Sequence, residues 1–105
     1  MNAQLKKGLL DVCVLAVLNR GESYGYKILK DLGQYIELSE STLYPILRRL
    51  EAGKYVTVRS VEHEGRLRKM YAITPEGKMQ LTDFLGDWKE VETIHQYIKE
   101  SVDYD

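Results

Sequence analysis

The change of hydrophobic period at Gly53 constrains this chain most. Before it, apolar residues recur at helical spacing; after it comes a β-branched run. Leu5, Leu9, Val12, Cys13, Ala16 and Val17 predict a first helix that ends near Arg20-Gly21, where glycine suits the position after a helix. Ser23 is placed to cap a second helix carrying Tyr26, Ile28, Leu29 and Leu32. After a connection around Gln34 to Leu38, Ser39 or Ser41 is placed to cap a third helix with Leu43, Ile46, Leu47 and Leu50 on one face.

Beyond Gly53, Lys54 to Val61 carries Val56, Thr57, Val58 and Val61 and predicts a strand. Glu62-His63-Glu64-Gly65 reads as a turn and Arg68 to Ile73 as the returning strand. Thr74-Pro75-Glu76 opens a fourth helix, with threonine as cap, proline at the first helical position and an acid in the first turn. The fold class is therefore mainly α with one β-hairpin (α+β). Three helices followed by a hairpin is the winged helix-turn-helix arrangement. The body spans residues 1–75 and the fourth helix 76–105, with Lys99 to Asp105 read as a frayed, acidic end.

A length of 105 residues suits one domain with a modest core. A single cysteine, Cys13, excludes a disulfide framework. Met1 to Lys7 has no signal-peptide pattern and no stretch is apolar enough to span a membrane, so a cytoplasmic protein is expected. The net charge of −1 hides an asymmetry. Met1 to Pro75 holds 12 Lys+Arg against 8 Asp+Glu, and Glu76 to Asp105 holds 3 against 8. A basic body with an acidic tail fits a chain of which one part faces phosphate, and equally one with two differently solvated surfaces. There is no nucleophile–base pair, metal-ligand cluster or phosphate loop, so neither an enzyme nor a cofactor or metal site is expected.

At about 100° per residue, the third helix sets Ser41, Pro45 and Arg48 opposite its apolar face, with Thr42 and Arg49 on one flank and Tyr44 on the other. Hydroxyl and guanidinium groups on such a face suit the edges of bases in the DNA major groove. Pro45 removes one helical hydrogen bond, so the helix is expected to start late or to distort there. Arg59, Arg66, Arg68 and Lys69 surround the hairpin. Glu62 and Glu64 flank its tip and repel phosphate, so Arg66, Arg68 and Lys69 are expected to act from the side of the wing. The competing reading is a winged-helix module that docks proteins without specific DNA binding.

Ser41-Thr42-Leu43-Tyr44-Pro45-Ile46-Leu47-Arg48-Arg49-Leu50-Glu51 resembles the recognition-helix signature of PadR regulators, G-T-L-Y-P-x-L-x-R-L-E. Ser23-Tyr24-Gly25-Tyr26 resembles that family's second-helix opening, and Arg68 to Gly77 its second wing strand, R-x-Y-Y-x-L-T-x-x-G. The likeness covers almost the whole chain in the same order. Ser41 stands where glycine is common, and Gly53 comes one place earlier than the family's glycine. Met70 and Ala72 replace an aromatic and a polar or basic residue. The resemblance implies a transcription regulator, usually a repressor, that binds a dyad-symmetric operator in double-stranded DNA. It implies DNA contacts from Ser41, Thr42, Tyr44, Pro45 and Arg48, and places Tyr24 and Tyr26 near the backbone.

In the fourth helix Leu81, Phe84, Trp88, Val91, His95 and Ile98 step by three and four, with Leu85 beside them. Such a seam requires a second helix, most simply that of a homodimer. His95 lies in the seam without a second ligand at metal spacing. Asp87-Trp88-Lys89-Glu90-Val91 resembles a segment of short PadR members that bind flat aromatic compounds. That likeness implies a planar effector between two copies of Trp88, lined by Val12, with Asp11 or Glu92 as counter-charge. Simple filling of the dimer interface by Trp88 is the other reading.

Overall fold

The computed structural model describes residues 3–104; Asp105 lies outside it, and the side-chain surroundings of Leu5 lie outside the described residues. Helix α1 (Ala3–Asn19) is followed by α2 (Gly25–Leu32), α3 (Glu40–Ala52), an antiparallel hairpin of β1 (Val56–His63) and β2 (Arg66–Ile73), and α4 (Pro75–Tyr104). The expected element order is thus observed.

The core is filled from three helices and the root of the hairpin. Leu10, Val14, Leu15 and Leu18 of α1 meet Ile28 and Leu32 of α2 and Leu43, Ile46, Leu47 and Leu50 of α3, with Val56 and Tyr71 closing the far side. The α1 residues differ from the stripe expected from spacing. Helix α1 is apolar nearly all round, so periodicity alone cannot select the core face. The opposite stripe, Leu9, Val12, Cys13 and Ala16, faces α4 across a groove. Burial raises the pKa of the Cys13 thiol, which keeps it protonated near neutrality.

Two cap expectations are corrected. Ser23 does not cap α2; Tyr24 holds the cap position, in extended backbone and without a side-chain cap bond. Ser23 is buried and forms an isolated bridge to β2. Ser39 does precede α3, but its hydroxyl meets Ser41 Oγ at 2.9 Å and Thr42 Oγ1 at 3.2 Å and caps no backbone N–H. Nor does α3 start late. It runs unbroken from Glu40 through Pro45, because the carbonyl deprived of its partner belongs to Ser41, in the exposed first turn where water can satisfy it.

The end of α3 explains the displaced glycine. The Tyr55 N–H donates to the Leu50 carbonyl (2.9 Å) and the Lys54 N–H to the Glu51 carbonyl (3.0 Å), the bond pattern of a Schellman motif. The left-handed residue of that motif is Lys54, with φ 64°, while Gly53 is right-handed. Lysine therefore occupies the backbone state that glycine tolerates best.

Strand β1 is shifted two residues toward the tip, β2 begins two residues earlier and the turn is tighter than expected. The register runs from Val56↔Ile73 to His63↔Arg66, leaving Glu64-Gly65 as a two-residue turn. Both carry positive φ, 52° and 80°, as a type I′ turn requires. At α4 the Thr74 hydroxyl accepts the Gly77 N–H (3.1 Å) and donates to the Lys54 carbonyl (2.8 Å), fixing the helix start on the loop after α3. Gly77 is buried there; a Cβ would meet the Tyr55 carbonyl and lie 2.6 Å from Ile73 Cγ1.

At about 1.5 Å per residue, the 30 residues of α4 extend about 45 Å. The expected frayed end is absent: the helix continues through Tyr104. In its first turns Leu81 packs on the core. Leu85, Val91, Ile94, Ile98 and Val102 are exposed.

Lys54→Gly is expected to stabilise the fold by about 1 kcal/mol, because it relieves a left-handed lysine against a modest gain in unfolded-state entropy. Urea unfolding measures this; a lower midpoint would contradict the strain assigned to Lys54.

Candidate nucleic-acid interface

On α3 the sequence places its polar residues opposite the core, and the structure exposes Ser41, Thr42, Pro45 and Arg48 together. Tyr44 leans the other way, across the start of α2. Its hydroxyl would lie 2.5 Å from a Cβ at position 25, so glycine there allows the two helices to approach. The hairpin stands beside this pair. Tyr24, Tyr26 and Tyr44 line one wall of a groove of about 680 Å³; Arg66, Leu67, Arg68 and Lys69 line the other, and Tyr71 its floor. Burial, with Tyr44 and Glu51 nearby, raises the Tyr71 phenol above its ordinary pKa, so the floor stays neutral.

Three consecutive residues tie the wing to the start of α2. The Glu22 carboxylate accepts two bonds from Arg59 on β1, at 2.6 and 2.7 Å. Ser23 exchanges two backbone bonds with Tyr71 on β2, at 3.0 and 2.7 Å. The ring of Tyr24 lies under the guanidinium of Arg68, 3.8 Å from its carbon to the ring centroid. The Arg59 hydrogen bond, and its charge, hold the Glu22 carboxyl below its ordinary pKa. No local pattern announces these ties. Arg59, read among the wing cations, is thereby turned toward α2, and Glu22 was not singled out at all.

Three further site residues are placed differently from expectation. Arg49 donates to both oxygens of Asp11 on α1, at 2.7 and 3.3 Å. Arg49 thus faces α1 and not the Ser41–Arg48 face, and Asp11 is already partnered rather than a waiting counter-charge. Among the described residues, Arg48, Arg66 and Lys69 form no ion pair, which leaves three exposed cations on or beside the groove. Arg66 sits at the wing tip, directly after the turn, and not on its side. Leu67, exposed within the groove, escaped the sequence reading.

On the opposite side of the molecule, Val12, Cys13, Ala16, Leu81, Phe84 and Leu85 line an apolar groove of about 650 Å³ between α1 and α4. Trp88 stacks on Phe84, with centroids 5.9 Å apart and rings inclined by 23°. Glu92 and His95 are exposed further along α4. No group of three or more His, Cys, Asp or Glu among the described residues could hold a metal ion, and no described helix is long and apolar enough to cross a membrane.

A trihelical body, a hairpin wing and a polar third-helix face define a winged helix-turn-helix protein. The chain belongs to the transcriptional regulator PadR-like family, whose profile matches residues 14–83. It is 33% identical to the negative transcriptional regulator PadR of Bacillus subtilis over 90% of this chain but only 50% of that protein, so it spans half the length of that relative. A PadR family regulator from Eggerthella lenta superposes with a TM-score of 0.82 at 30% identity, covering 90% of this chain and 86% of the other. Bacillus subtilis PadR solved in complex with operator DNA superposes with a TM-score of 0.69 at 32% identity, covering 73% of this chain and 46% of that one. The family is one of transcriptional regulators, not of enzymes.

The Asp11–Arg49 pair gives a test of placement. Each single reversal, Asp11→Arg or Arg49→Asp, should cost up to about 1 kcal/mol, as exposed pairs do, and the double reversal should recover most of it. The double variant should also keep the DNA affinity of the parent. If it folds as the parent does yet binds DNA as weakly as Arg49→Asp, Arg49 contacts DNA directly.

Proposed function

We propose that the chain is a sequence-specific DNA-binding repressor that acts as a homodimer on a dyad-symmetric operator in the cytoplasm. The observation that carries this reading is the convergence of the Ser41–Arg48 face with a groove walled by tyrosines and wing cations. Ser41, Thr42, Pro45 and Arg48 enter the major groove. Tyr24, Tyr26 and Tyr44 flank the phosphate backbone, and Arg66, Arg68 and Lys69 reach it from the wing. Arg49 is left out of this contact set because its guanidinium is held by Asp11. The position of Arg48, Arg66 and Lys69, which form no ion pair among the described residues, beside the Ser41–Arg48 face favours this reading over the protein-docking alternative.

The dimer reading rests on α4, where Leu85, Trp88, Val91, His95 and Ile98 continue the seam beyond the body and lie exposed in the single chain. Leu81 and Phe84 serve partly within the chain, against α1. A second copy covering the seam would bring two Trp88 rings toward the dyad. A planar aromatic effector stacked there, beside Val12 and Glu92, would release DNA if it favoured one spacing of the two third helices over another.

Two half-sites about one helical turn apart, ~10 base pairs, are expected in DNA selected by the chain from a random pool. Arg48→Ala should weaken binding to that DNA by roughly 1–3 kcal/mol. Unchanged affinity would remove α3 from the contact.

Val91→Glu combined with Ile98→Glu should give monomers in sedimentation equilibrium. The same pair should abolish quenching of Trp88 emission by planar aromatic cations. A persistent dimer would place the interface elsewhere, and quenching by none of a broad set of such cations in the parent would end the effector reading.

A further inference from the structure

The wing presents three cations to the groove, and they are not equivalent. Arg66 and Lys69 are exposed and lack an ion pair among the described residues. Arg68 is half-buried, and its guanidinium lies over the Tyr24 ring at 3.8 Å. The backbone that carries this ring is held on both sides. The Tyr24 carbonyl accepts the Ile28 N–H at 2.9 Å, beginning the hydrogen bonding of α2, and the preceding Ser23 is bonded through both backbone groups to Tyr71, three residues after Arg68. Platform and cation therefore belong to two elements fastened together next to the contact. A planar guanidinium stacked on an aromatic face keeps its N–H donors in one orientation, whereas lysine on the same stem is a mobile, strongly hydrated point charge.

We propose that Tyr24 is a positioning residue that acts through Arg68, and that the stacked Arg68 is the wing's specificity-determining cation, while Arg66 and Lys69 supply sequence-independent attraction. The proposal rests on the DNA-binding reading above. A cation already held in place loses little freedom on contact, so it discriminates among DNA geometries. Free cations follow the phosphates wherever they lie.

The test uses the full chain and two labelled duplexes of equal length, one selected by the chain from a random pool and one unrelated, titrated across a salt series. Arg68→Lys keeps the charge and loses the planar stack. It should reduce the ratio of selected to unrelated affinity by about fivefold or more, an effect within the range of one lost oriented contact, with the salt slope unchanged. Tyr24→Leu should lower the same ratio, Tyr24→Phe, which keeps the stacking face, should keep the parental ratio of selected to unrelated affinity, and Tyr24→Leu with Arg68→Lys should lower the ratio no further than either alone. Arg66→Ala should weaken both duplexes together and flatten the slope by about one unit. An Arg68→Lys chain with the parental ratio overturns the proposal, as do losses that multiply in the double variant. A parent chain without affinity for either duplex overturns the DNA-binding reading and this proposal with it.

Discussion

The pair of backbone hydrogen bonds between Ser23 and Tyr71 is the constraint on which the interface depends. A two-stranded hairpin is marginally stable by itself and would swing about its root. Here residue 23 acts as a one-residue third strand, placing β2 against the entrance of α2. Tyr71 is buried at that junction and contributes to the core as well as the groove floor. The Glu22–Arg59 pair on one side and the Tyr24–Arg68 stack on the other then set the rotation of the wing. The ion pair is solvent-facing and worth little in stability; its contribution is geometric. The groove between wing and third helix follows from this junction and not from the hairpin alone.

Helix α1 links that side of the molecule to the other. One face supplies Leu10, Val14, Leu15 and Leu18 to the core, and the opposite face lines the groove against α4. On the core-facing side, Asp11 holds Arg49 of α3. Helix α1 is thus packed against both α3 and α4.

Much of this was legible in the sequence because it is written locally. The alternation of Leu43, Ile46, Leu47 and Leu50 with Ser41, Pro45 and Arg48 gave both faces of α3, and Thr74-Pro75 gave the start of α4 to the residue. Three kinds of feature were not legible. The pairs Asp11–Arg49 and Glu22–Arg59 join residues 38 and 37 apart and leave no local trace. The core face of α1 is not legible because a helix apolar on two sides has no single stripe. The left-handed positions were hidden because Lys54 and Glu64 occupy states for which glycine or asparagine is the usual signal. Ser23 looked like a cap for the reason that serine often is one, and only the arrival of β2 beside it revealed its other use.

The proposed contact brings DNA to the third-helix face and the tethered wing. Backbone amide hydrogen exchange, with and without a duplex selected by the chain from a random pool, addresses it directly. Slowed exchange on DNA binding is expected at residues 39–49 and 64–71, where α3 and the wing enclose the groove. Protection confined to other segments, with these two unchanged, would contradict the account.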